Sequence, residues 1–180
     1  MAEVAFGPSR RTWQVGEWAQ GVPGRTPKGV HELSMVMRTI AGVMTGEDTE
    51  DLRAWLRTLP GAPHVHETVV LACGRHGDDR PGWMYVEADA ALGLARRRCL
   101  SCADVVGLLD SDVRWNHPPM WACLGCGQSI AEVAVGLHVP DGAPVSWLVV
   151  GARCVACGRL AGLTDLVVPD LPLDELLATL

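Results

Sequence analysis

The sequence predicts an α+β chain in which an N-terminal helical hairpin is followed by two tandem β-rich ribbons packed together. Three observations lead there. All seven cysteines and one of the six histidines stand in four pairs of ligand-capable side chains, each pair spaced i and i+3. The four pairs fall into two similar units. Ahead of the first pair, apolar residues recur at three- and four-residue spacing, the period of a helix buried along one face.

The pairs are Cys73-Gly-Arg-His76, Cys99-Leu-Ser-Cys102, Cys123-Leu-Gly-Cys126 and Cys154-Val-Ala-Cys157. A tight turn with ligands at i and i+3 aims two soft donors at one point, and two such turns close a tetrahedral N/S site of the kind Zn²⁺ prefers. Twenty-two residues separate His76 from Cys99 and twenty-seven separate Cys126 from Cys154, so the second unit carries a five-residue insertion. Ala72 precedes Cys73 as Ala122 precedes Cys123, and Arg98 precedes Cys99 as Arg153 precedes Cys154. Gly107-Leu108-x-Asp110 recurs as Gly162-Leu163-x-Asp165 at the same distance from the preceding knuckle. A tandem duplication follows, with ribbons over 64–113 and 119–168. In these knuckles residues 68–168 resemble the zinc-ribbon and rubredoxin-like superfamily. The resemblance implies metal binding and leaves the partner open, because that superfamily includes nucleic-acid binders, protein adaptors and purely structural modules.

The four pairs supply ligands for two sites. Cys73, His76, Cys99 and Cys102 make the first, and Cys123, Cys126, Cys154 and Cys157 the second, with two Zn²⁺ ions expected. An all-thiolate tetrahedron also accommodates iron, so iron in the second site stays open. His64, His66 and His117 are rivals of His76 for the fourth position of the first site. His64 and His66 stand two residues apart ahead of the apolar run Val69-Val70-Leu71, and in a strand they would point the same way.

Elements follow in chain order. Residues 1–30 are dense in Gly and Pro and read as an irregular arm carrying Trp13 and Trp18. Residues 31–60 read as the helical hairpin. Leu33, Val36, Met37, Ile40, Val43 and Met44 stripe a first helix that Gly46 ends. Thr45 or Asp48 caps a second helix, whose apolar face is Leu52, Trp55, Leu56 and Leu59 and whose stop is Pro60-Gly61. Glu47, Asp48, Glu50 and Asp51 suit the positive end of its dipole. Strands are expected at Trp83–Val86, Val105–Leu109, Ile130–Val139, Val145–Val150 and Leu163–Val168, while 88–95 is ambiguous between strand and helix. Pro118-Pro119 divides the ribbons, since neither residue can donate to a ladder. Gly follows the second ligand at three knuckles, as Gly77, Gly127 and Gly158, where a positive φ turns backbone amides toward sulfur. Ala103 is the exception and predicts a strained or differently turned knuckle. In the tail over 169–180, Leu173, Leu176, Leu177 and Leu180 share one helical stripe.

The formal charge is −6, and counting seven thiolates (−7) with two divalent ions (+4) moves it to −9. An acidic chain is a poor non-specific ligand for phosphate backbones. No membrane-spanning run and no secretory leader are evident, so a reducing cytoplasm is expected, where paired cysteines are more often metal ligands than disulfides. Four closed ligands per site leave no position for a reactive water, and no general-base signature accompanies them, so the chain is not expected to be an enzyme.

Two functional readings stand. The first is a non-catalytic, zinc-stabilised adaptor or structural subunit, acting through protein partners or self-association within a larger assembly. It would present Trp13, Trp18, Leu173, Leu176, Leu177 and Leu180. The second is a nucleic-acid-associated regulator using a basic face of Arg96, Arg97, Arg98, Arg153 and Arg159. The acidic charge favours the first.

Overall fold

The computed structural model describes residues 38–40, 43–76, 82–141 and 143–180. Nine strands and two short helices make up the described part. They are β1 (Arg38–Ile40), β2 (Val43–Thr45), α1 (Thr49–Arg57), β3 (Glu67–Val70), β4 (Met84–Asp89), β5 (Leu94–Cys99), β6 (Val105–Gly107), β7 (Ala131–His138), β8 (Val145–Cys154), β9 (Leu160–Leu171) and α2 (Leu173–Leu177). The chain is therefore mostly antiparallel β-sheet, and the expected N-terminal helical hairpin is corrected.

Where the first helix of that hairpin was expected, β1 and β2 pair in the register Arg38↔Thr45, Thr39↔Met44 and Ile40↔Val43. The reason lies in residue type. Thr39, Ile40, Val43 and Thr45 are β-branched and stiff at χ1, and Gly42 would cost a helix interior about 1 kcal/mol. Positions 40, 43 and 44 fit a helical period and a two-residue hairpin equally well, so spacing alone does not separate them. Residues 31–37, and the arm with Trp13 and Trp18, lie outside the described residues.

The second helix forms as α1. Asp48 caps it by accepting from the amides of Glu50 and Asp51 at 2.9 and 3.1 Å. Leu52 and Leu56 are fully buried, while Trp55 and Leu59 pack at the margin of the same cluster. Of the acidic first turn, Asp51 is buried and accepts from the Glu47 amide at 2.6 Å, so it orders the entry into the helix as well as complementing its dipole.

One seven-stranded sheet runs β6-β5-β4-β7-β8-β9, with β3 lying beside the far half of β7 on the edge that β4 also uses. β3 pairs Glu67↔Leu137 through Val70↔Ala134, and β4 pairs at Met84↔Ala131. The single β4–β7 pairing joins both expected ribbons into one sheet. Residues on β7 and β8 alternate between two cores: Val133, Val135, Leu137, Leu148, Val150 and Ala152 face a large cluster with α2, while Ala134, Trp147 and Val149 face α1. The sheet curls enough that the β4–β5 turn meets β9, where the Thr164 hydroxyl donates to the Asp89 carbonyl at 3.4 Å. The ambiguous segment 88–95 is this turn and its flanking strands, with Gly93 at φ 65°. Among the described residues no helix is long and apolar enough to cross a membrane.

Candidate metal centres

Three of the four knuckles are built by the same backbone bonds. The amide of Cys99 donates to Asp104 O at 2.8 Å, that of Cys123 to Gln128 O at 2.8 Å and that of Cys154 to Arg159 O at 2.9 Å. Within each turn the residue after the second ligand donates back to the first cysteine: Ala103 to Cys99 O, Gly127 to Cys123 O and Gly158 to Cys154 O. All three have positive φ, at 58°, 73° and 71° respectively. Ala103 thus makes the same left-handed turn as the glycines, and its strain is that of a Cβ in that region, not of a different geometry. Inside the turns, the amides of Ser101 and Gly125 donate to the sulfurs of Cys99 and Cys123 at 3.3 and 3.4 Å. The first knuckle is built otherwise, with the His76 amide donating to Cys73 O at 3.1 Å.

These turns bring eight side chains into two groups, Cys73, His76, Cys99 and Cys102, and Cys123, Cys126, Cys154 and Cys157. Within each group all ligand atoms lie within 4.8 Å of one another. All seven cysteines are unbridged. Sulfur separations are 3.6 Å for Cys73–Cys102 and 3.5 Å for both Cys123–Cys157 and Cys126–Cys154. A tetrahedron with metal–sulfur bonds of about 2.3 Å has edges of about 3.8 Å, so the cages are close to the size such an ion needs. In the first group the buried Nε2 of His76 has no hydrogen-bond partner. An orphaned buried ring nitrogen facing three sulfurs is what a missing cation would satisfy. His64, His66 and His117 join neither group, so His76 holds the fourth position.

The electrostatics of the second group point the same way. Burial opposes ionisation of Cys123, but the amides of Gly125 and Cys126, with the neighbouring thiols, outweigh it and bring the group down to about 7. Cys157 is pushed up to about 12 by burial and by the thiols around it. Four thiols this close do not all ionise unless a cation joins them.

The sheet puts both groups at one end. Cys99 pairs with Met84, Met84 with Ala131 and Ala131 with Cys154, a single row across four strands. At the usual strand spacing, Cys99 and Cys154 stand roughly 14 Å apart. Site-end cysteines alternate in exposure: Cys73, Cys99, Cys123 and Cys154 are buried, and Cys102, Cys126 and Cys157 are exposed. The second group also anchors the β1–β2 hairpin, because the Gly46 amide donates to Gly158 O at 2.9 Å and Thr45 bridges Arg159.

The arginines expected to make one basic face are divided by the strand's two-residue period. Arg97 is buried and donates from Nη2 to Leu180 O at 2.8 Å. Burial lowers its pKa, against the opposing pull of Cys73, Asp104 and Cys99. Arg96 points to the other side, where it pairs with Glu87 at 2.7 Å and lies 3.9 Å over the Trp115 ring. Arg153 pairs with Glu132 at 2.8 Å. Arg98 and Arg159 are both partly exposed on different strands. In the tail, Leu176 is fully buried, Leu173 and Leu180 pack on the main core, and Leu177 is exposed. The Leu stripe docks on its own sheet and leaves Leu177 as its outward member.

The chain matches no protein-family model, no curated protein and no solved structure in comparisons of sequence and fold.

Proposed function

We propose that the chain is a non-catalytic, zinc-stabilised structural or adaptor module that acts through protein contacts, and that its two knuckle units arose by tandem duplication. The observation that carries the reading is the closure of both cages: each has four protein ligands, so a bound Zn²⁺ would be held with no position left for water. In the first cage Cys73, His76, Cys99 and Cys102 would hold the ion. In the second Cys123, Cys126, Cys154 and Cys157 would, and their four thiolates suit Zn²⁺ or iron alike. The ion supplies folding free energy on the order of 10 kcal/mol per site, comparable with the whole net stability of a domain this size.

Duplication is supported by the repeated knuckle bonds and by the pairing of Met84 with Ala131, which face Cys99 and Cys154 in equivalent ladders. Contact through proteins is supported by the apolar residues near the metal end. Leu124, at the tip of its knuckle, is 74% exposed, and Leu100, at the matching position, is exposed beside Trp83. The nucleic-acid reading loses support from the Arg96 to Arg98 run, because one member is buried and another is ion-paired.

A photo-crosslinking side chain at position 124, introduced in the native cell, tests this. The reading requires a discrete protein adduct that disappears when Leu100 is changed to Asp. Adducts to nucleic acid, or none above a control placed at Val167, would overturn it.

A further inference from the structure

The histidines ahead of β3 acquire a neighbour that their order in the chain does not reveal. Pairing of β3 with β7 continues one step as the His66 amide donates to Leu137 O at 2.9 Å, which sets His64 and His66 beside His138. The His64 and His66 rings are 4.7 Å apart centre to centre, edge to face, and the His66 and His138 rings 5.0 Å. His64 and His66 are exposed, and His138 is partly so.

We propose that His64, His66 and His138 form a third, labile site for a divalent late first-row metal ion, the class that neutral imidazole selects. His138 is already arranged as a ligand. Its Nδ1 lies 2.7 Å from the His64 carbonyl oxygen, which can only accept, so Nδ1 carries the proton and Nε2 keeps its lone pair. A ring N–H donated to a backbone carbonyl is the outer bond that orients most metal-ligating histidines, and here the carbonyl belongs to another member of the cluster. His66 is not yet arranged. Its Nδ1 accepts from the Val139 amide at 3.2 Å, so it ligates only after its ring turns and gives up that exposed bond. His64 has no such tie through its ring to the backbone among the bonds described, and exposed side chains change rotamer in picoseconds to nanoseconds.

The need to turn His66 makes the site weaker than the thiolate cages, which fill first. It is also remote from them. His138 is seven residues along β7 from Ala131, which stands in the row that carries Cys99 and Cys154, or about 24 Å at the usual rise. Loading the histidine site therefore leaves the cages unchanged.

The test uses the full, untagged chain with both cages filled with zinc, titrated with Ni²⁺ by calorimetry while the histidine ring signals are followed by NMR. One Ni²⁺ per chain should bind and shift the rings of His64, His66 and His138. Binding should weaken at least tenfold in His138→Ala and, separately, in the exposed His64→Ala, with both zinc ions retained by native mass spectrometry. The proposal fails if no Ni²⁺ binds beyond the filled cages, if both variants bind it undiminished, or if it enters only as zinc leaves.

Discussion

The left-handed knuckle turns allow a matched set of substitutions whose magnitudes separate backbone strain from steric contact. Gly158 has φ 71°, and a Cβ built on it would lie 2.5 Å from the Gly46 carbonyl oxygen. Gly127 has φ 73°, and a Cβ there would meet nothing within 4 Å. Both glycines close the same turn around cysteines of the second cage, so Ala at either carries the same conformational cost, about 1–2 kcal/mol. Only Gly158→Ala must also push β2 away or break the Gly46–Gly158 hydrogen bond. Overpacking of this kind adds about 1–3 kcal/mol, giving a loss of about 2–5 kcal/mol for Gly158→Ala against about 1–2 for Gly127→Ala. Ala103→Gly runs in reverse, since Ala103 already stands at φ 58°, and should stabilise by up to about 1 kcal/mol after the entropy that glycine adds to the unfolded chain. Urea unfolding of metal-loaded protein reads all three as shifts in midpoint at constant slope. Equal losses for Gly158→Ala and Gly127→Ala would refute the contact with Gly46. A destabilised Ala103→Gly would refute the assignment of one turn geometry to these knuckles.

Cys126→Ser or Cys157→Ser should remove one equivalent of bound metal and unfold the 119–168 ribbon while leaving the Cys73 group filled; a folded variant with unchanged metal content would contradict this. Trp147→Phe removes the donor that binds Asp165 Oδ2 at 2.9 Å in a buried site, and should cost about 1–3 kcal/mol in thermal or urea unfolding. Leu56→Ala opens a cavity under α1, where Leu56 is fully buried, and should cost about 2–5 kcal/mol. The pH dependence carries two signs in the metal-free chain. Cys123, held at about 7, contributes stability above the ordinary thiol range near 8.5 and loses it as pH falls through 7, whereas Cys157, pushed up to about 12, contributes below that range and loses it as pH rises. An ion that takes thiolates from both must displace protons, so zinc affinity should climb between about pH 6 and pH 8 with protons released on binding. A flat affinity across that interval would argue against thiolate ligation.

The cages are legible in the sequence because a knuckle is local: two ligands and the turn between them span four residues, and the pairing of knuckles follows from their repeat. Asp48, Leu52 and Leu56 are legible for the same reason, since a cap and a stripe are read within one helix. The β1–β2 hairpin is not, because Ile40, Val43 and Met44 satisfy two periods and only β-branching and Gly42 tip the balance. The Arg96 to Arg98 run could have been divided in advance: residues leading into a knuckle are extended, and extended residues alternate faces, so three consecutive arginines cannot share one. Long-range placement carries no local signal. Nothing near Met84 announces its pairing with Ala131, and nothing near His138 announces His64 and His66, because both contacts depend on how β3 and β4 divide the edge of β7.

X-ray absorption at the metal edge, on protein purified without added metal and counted by native mass spectrometry, addresses the two closed cages most directly. Seven sulfurs and one imidazole nitrogen shared by two ions predict two ions per chain with an average shell of 3.5 sulfurs and 0.5 nitrogen, the sulfurs at about 2.3 Å. A shell containing water oxygen, or fewer than two ions per folded chain, would contradict it.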